Sequence, residues 1–218
     1  YERARELGED TLARCLRVQG EDYPDTLRAA YLLAATLREL GRYERARELG
    51  EDALARCRRI LGKDHLHTLR AAYLLAATLR ELGRYERARE LGEDALARLR
   101  RILGDDNHDT LRAALILTAT LREMGRYERA RELGEDTLAR CRRILGEDHP
   151  TTLESAYLLT TTLRESGQYA QARELGEDTL TGLRRVLGED HPHTLRAARS
   201  LATLANPGED DQACRREE

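Results

Sequence analysis

The chain of 218 residues carries 37 Lys and Arg against 40 Asp and Glu, a net charge of −3, and it has neither Phe nor Trp. That balance excludes bulk attraction to nucleic acid or to an anionic membrane surface. No apolar run reaches the length of a membrane span and no charged-then-apolar leader opens the sequence, while Tyr1 enters in the middle of a repeat, as in a piece of a longer chain.

Self-similarity is the strongest signal. The run from 26 to 56 recurs from 68 to 98, with Tyr1, Tyr43, Tyr85, Tyr127 and Tyr169 marking one phase of a 42-residue period and Gly20, Gly62, Gly104, Gly146 and Gly188 another. A period of this length predicts a solenoid, in which each unit buries its apolar face against the next. Every repeat resolves into two helices. The expected order is a second-type helix over 1–19, repeats near 25–61, 67–103, 109–145 and 151–187, a capping first-type helix over 193–205, and a loosely attached polar tail over 206–218. The fold class is therefore all-α, a right-handed α-solenoid of about ten helices stacked as antiparallel pairs.

In the first helix, Leu27, Ala30, Ala34 and Leu37 recur at steps of three and four, and Leu33 widens the stripe. The helix is apolar around most of its circumference, so it is expected between more than one neighbour. Gly41 stops it as a residue free to take the left-handed cap conformation. The second helix lines up Tyr43, Ala46, Gly50, Ala53, Cys57 and Ile60 on one face, with Arg47 to Glu51 and Asp52 to Arg56 at i,i+4 on the other. Gly50 and its copies sit mid-helix at a cost of about 1 kcal/mol relative to Ala; close approach by a bulky neighbour such as Tyr31 or Leu32 would account for them.

The loop into the next repeat reads LGEDHP at 145–150 and 187–192, its Pro suited to the first helical turn. His65 and His67, and again His191 and His193, form H-x-H pairs on loops of separate repeats, expected to cap and pack rather than to hold a metal. Cys15, Cys57 and Cys141 share one phase and are expected as small buried hydrophobes; with Cys214 they show no disulfide pattern, which favours a reducing cytoplasm. The only serines, Ser155, Ser166 and Ser200, lie on or at the ends of helices without a base at nucleophile spacing, and no G-x-x-x-x-G-K-[ST] loop is present. No catalytic residue, cofactor or metal is expected.

The run GRYERARELGEDAL at 41–54 resembles the G-x-Y-x-x-A…A-L core of the tetratricopeptide repeat, and the added LGxDHP loop with its longer period is similar to the kinesin light chain subtype. The resemblance covers nearly all of the chain to about residue 205. It implies a non-catalytic protein–protein interaction scaffold whose first helices line a groove. Two departures stand out: the mid-helix large residue of the family is Gly here, and the Asn pair of kinesin light chain repeats is replaced by Tyr31-Leu32, Tyr73-Leu74, Leu115-Ile116 and Tyr157-Leu158, so recognition through those asparagines does not transfer. Heavy Arg, Ala, Leu and Gly usage suggests a bacterial source, where similar arrays serve as sensor arms of larger signalling proteins such as STAND-type ATPases.

A second stripe on the first helices is the candidate binding surface. Arg28, Tyr31 and Arg38 recur as Arg70, Tyr73 and Arg80, then as Arg112, Leu115 and Arg122, and finally as Tyr157 and Arg164 with Glu154 in place of the leading Arg. Arg and Tyr are the side chains enriched at binding hot spots, and Tyr73 and Arg80 are the most central. The expected partner is a protein or peptide segment, acidic and apolar, with no role for nucleic acid or membrane. The competing reading has Tyr packing between helices and Arg pairing with Glu39, Glu81, Glu123 or Glu165. Self-association through an exposed N-terminal helix, with Leu7, Leu12 and Cys15 on its open face, is a third.

Overall fold

The computed structural model describes residues 2–205. The chain falls into two compact units, Tyr1–Met124 and Gly125–Glu218. The first contains α1 (Glu2–Gln19), α2 (Pro24–Glu39), α3 (Tyr43–Ile60), α4 (Leu66–Glu81), α5 (Tyr85–Leu103) and α6 (His108–Glu123). The second contains α7 (Tyr127–Leu145), α8 (Pro150–Glu165), α9 (Tyr169–Leu187) and α10 (Pro192–Ala205). No strand occurs among the described residues. The expected tail, with Cys214, lies outside them.

Within the first unit each helix packs on the next, and α4 also touches both α2 and α6, while α1, α3 and α5 do not touch one another. First-type helices thus form an inner layer with neighbours on several sides, which is why their apolar residues cover so much of the circumference. Of α4, ten residues from Thr68 to Leu79 are buried. Second-type helices bury one face only. In α3 that face is Ala46, Gly50, Ala53, Leu54 and Cys57, whereas Ile60, expected beside them, lies exposed at the helix end. Cys57 and Cys141 are buried, and burial pushes their thiols up to about 11, so they pack as inert hydrophobes.

Glycine at the end of α2 does what the chain reversal requires. With Gly41 at φ +73°, its N–H bonds the Arg38 carbonyl at 2.9 Å and the Arg42 N–H bonds the Leu37 carbonyl at 2.9 Å, satisfying two carbonyls that the helix leaves open. The mid-helix glycine answers to a different neighbour from the one expected. A methyl on Gly50 would lie 3.2 Å from Cδ1 of Leu75 on α4 and 3.8 Å from the methyl of Ala34 on α2. Leucine of the following first helix, not Tyr31 or Leu32, fills the space; Leu32 is largely exposed.

The loops clamp neighbouring repeats. Asp64 accepts from Arg98 at 2.6 Å and from Arg101 at 2.7 Å, and Asp22 accepts from Arg59 at 2.7 Å. Asp148 meets Arg185 in the same way in the second unit. The loop His residues are N-caps: His65 Nδ1 accepts from the His67 N–H at 3.2 Å, and Asn107 takes the same place with its side-chain oxygen 2.9 Å from the Asp109 N–H.

Candidate functional site

The first helices of the first unit frame an open depression of about 600 Å³. It gathers Arg28, Tyr31 and Arg38 of α2, Arg70 and Tyr73 of α4, and Arg112 of α6, six of the side chains expected on the binding stripe. The geometry divides them by role. Tyr31 and Tyr73 are 2% and 4% exposed, so they form the floor and contribute their hydroxyls sideways rather than outward.

Those hydroxyls meet two different chemistries. The Tyr31 hydroxyl lies 2.8 Å from Nδ1 of His67 on the neighbouring helix. The Tyr73 hydroxyl donates to Oδ1 of Asp109 at 2.9 Å, and Arg70 grips the same carboxylate with Nε at 2.9 Å and an Nη at 2.8 Å. This fork geometry is the strong form of a charge-assisted bond. Burial pushes Asp109 towards the neutral acid, but the bonds from Arg70 and Tyr73 outweigh it and hold the carboxyl below its usual 3.8. Burial, and then the Asp109 charge, push the Tyr73 phenol far above its ordinary range. Asp109 is only 6% exposed, so this is an interior network and not a recognition group.

The Arg residues of the stripe fall into three states. Arg70 is committed to Asp109. Arg38, Arg80 and Arg122 each pair with the next residue, Glu39, Glu81 and Glu123, as the competing reading of the sequence expected. Arg28 and Arg112 form no ion pair among the described residues. The reason for Arg28 is in the repeat register: the position that supplies Asp109 to Arg70 supplies His67 to Arg28, and His67 offers no carboxylate. For Arg112 the same register position is Thr151.

Of the remaining stripe residues, Leu115 is buried on α6, and Arg80 and Arg122 lie outside the lining of the depression. Tyr157 and Arg164 belong to the second unit. There the Arg196 guanidinium stacks 4.8 Å above the Tyr157 ring, and Arg164 reaches Oγ of Ser200 at 3.1 Å and Glu165 at 3.3 Å. The residues that the sequence reading missed are His67 and Asp109. Their signal was present as the variable phase Asp25, His67, Asp109, Thr151, His193 in otherwise near-identical copies.

Four overlapping stretches, residues 1–59, 29–101, 72–141 and 109–185, match the family model of the tetratricopeptide repeat. The chain belongs to the tetratricopeptide repeat family. Among solved structures, it is similar to a point variant of a Podospora anserina protein named as a kinesin light chain, with nearly identical TPR-like repeats: 26% identity, 84% of this chain and 87% of that one, TM-score 0.68. BtubC (BKLC) of P. vanneervenii shares the fold at 18% identity over 97% of this chain and 85% of its own, TM-score 0.74. So does Rap protein complexed with Competence and Sporulation Factor, at 16% identity over 93% of this chain and 58% of its own, TM-score 0.60. No curated protein matches the chain. Tetratricopeptide arrays are in general protein–protein interaction scaffolds, and this one takes the kinesin light chain-like form. No helix among the described residues is long and apolar enough to cross a membrane.

Proposed function

We propose that this tetratricopeptide array is a non-catalytic scaffold that captures an acidic, partly apolar segment of a partner protein on the first-helix face of residues 1–124, in a cytoplasmic setting. The observation that carries the reading is the pair of uncommitted guanidiniums, Arg28 and Arg112, on either side of the neutralised Arg70–Asp109 pair. A carboxylate arriving there displaces no existing partner. Arg supplies a planar fork matched to a carboxylate, and the exposed Leu32 and half-buried Leu74 beside it give apolar area. Recognition of a bound factor by Rap, a neighbour in fold, agrees with use of this architecture as a receptor for other chains.

The test is selection from a random peptide display library on the immobilised chain, in parallel with an Arg28→Glu/Arg112→Glu variant. Enrichment of Asp and Glu on the parent, lost or reversed to Lys and Arg on the variant, is the expected outcome. Identical peptides from both would remove the depression from the binding site.

A further inference from the structure

A second surface lies within the second unit and is built mainly on second-type helices. There α7 and α9 border a shallow groove of about 320 Å³ with α8 beneath it. Leu159 and Leu163 of α8, one turn apart, form its floor together with Leu138 of α7 and the half-buried Leu175 of α9. Its walls carry Glu135, Ala139 and Arg142 of α7 and Gln171, Glu174 and Asp178 of α9. Every lining residue falls between 135 and 178, so these three inner helices frame the groove by themselves.

The charges on the two walls are in different states. On α7, Glu135 is held by Arg131 at 2.9 Å and Arg142 by Glu147 at 3.0 Å. On α9, Glu174 and Asp178 form no ion pair and no side-chain hydrogen bond among the described residues. The cause is in the sequence of α9. In each of the other second-type helices the matching Asp pairs with an Arg one turn on: Asp10 with Arg14, Asp52 with Arg56, Asp94 with Arg98 and Asp136 with Arg140. In α9 that Arg is replaced by Gly182, which Leu153 packs so closely that an added methyl would lie 2.7 Å from its Cδ2. Three residues before Glu174, where the other copies carry Arg3, Arg45, Arg87 and Arg129, stands Gln171. Helix α9 has therefore lost two cations and kept its carboxylates beside an apolar floor.

We infer that this groove docks a basic, amphipathic helical segment of a partner protein. Lys or Arg at i,i+4 on such a segment matches the spacing of Glu174 and Asp178, and its apolar anchors cover Leu175 and Ala139. A cation arriving there breaks no existing ion pair. An acidic segment would instead bring like charge against two unpaired carboxylates, which is unfavourable. The occupant thus differs in sign from that of the depression, and the inference stands apart from the reading of that site.

The test is fluorescence anisotropy of the full chain with a labelled helical peptide of Leu and Lys. Saturable binding by the parent is expected. Glu174→Lys/Asp178→Lys should weaken it about tenfold or more, and Gln171→Arg, restoring the residue of the other copies, by a smaller factor. All three positions are exposed, and an unaltered melting temperature checks that the fold is intact. Glu90→Lys/Asp94→Lys makes the same charge change on α5, where Asp94 already holds Arg98, and should change affinity little. The Arg28→Glu/Arg112→Glu variant should bind no more weakly than the parent, which separates the groove from the depression. Absence of saturable binding to the parent overturns the inference. So does an equal loss for the α9 and α5 variants, which would mean diffuse attraction to an acidic surface.

Discussion

Tyr31 and Tyr73 stand in the same local sequence on successive first helices, but one hydroxyl meets an imidazole and the other a carboxylate already held by Arg70. The difference comes from one residue per repeat, His67 against Asp109. Where the carboxylate is present, the leading Arg of the stripe is drawn into the interior network. Where it is absent, Arg28 is left open to solvent. A near-identical array can therefore vary the charge of its binding face by changing a residue 39 positions from the Arg that it controls.

The largest effect should come from packing that both contacts share. Leu75 is buried against Gly50 at the junction of α3 and α4, and Leu75→Ala should cost about 2–5 kcal/mol, as buried leucine truncations do. Chemical denaturation with a loss near zero would show that the junction is slack. Next in size is Asp109→Ala, which strands Arg70 and the Tyr73 hydroxyl together; removing one partner of a buried pair costs about 3 kcal/mol. His67→Ala removes a single neutral hydrogen bond and should cost about 1 kcal/mol. Equal losses for the two would erase the distinction between the contacts.

Acid sharpens the same comparison. Burial, followed by the positive charges of His65, Arg70 and Arg28, holds the His67 imidazole below its usual 6.5. Protonation then favours the unfolded chain, so stability should rise with pH across the interval just below 6.5 and fall as acid is added. Asp109 is held below 3.8 by its two donors, and its contribution, present above that value, should be lost only at lower pH. A His67→Asp variant should lose the milder step in the melting profile and keep the acidic one. Persistence of the milder step would assign it to another histidine.

Helix order, the Schellman turn at Gly41, the burial of Cys57 and Cys141 and the pairing of Arg38 with Glu39 were legible in the sequence, because each depends on local spacing or on the period itself, whereas Cys15, expected buried with them, is only half-buried on α1. The partner of Gly50 was not, because the sequence shows that a side chain must be missing and not which helix takes the room. The fates of Arg28, Arg70 and Arg112 were hidden for a related reason. Their partners lie one repeat away, and only the lateral packing of α2, α4 and α6 reveals which variable residue each Arg reaches. The sequence left the tyrosines open between the groove and packing between helices; Tyr31 and Tyr73 take the second place, each a large ring buried between closely packed helices with only its hydroxyl to place.

His67→Asp also carries the smallest predicted change in stability, a gain of up to about 1 kcal/mol from a carboxylate that Tyr31 and Arg28 can share. Its effect on binding should be larger, and it bears on the central claim without reversing any charge of the stripe. The direct measurement is titration of a labelled peptide, chosen by display on the parent, into the parent, the His67→Asp variant and the Arg28→Glu/Arg112→Glu variant at two salt concentrations. Open guanidiniums predict affinity weakened about tenfold or more by charge reversal, equivalent to about 1.4 kcal/mol, a smaller loss for His67→Asp, weakening by salt that is steepest in the parent and shallower in His67→Asp, where Arg112 stays open, and melting temperatures no lower than the parent's. The same affinity for all three proteins would contradict the account.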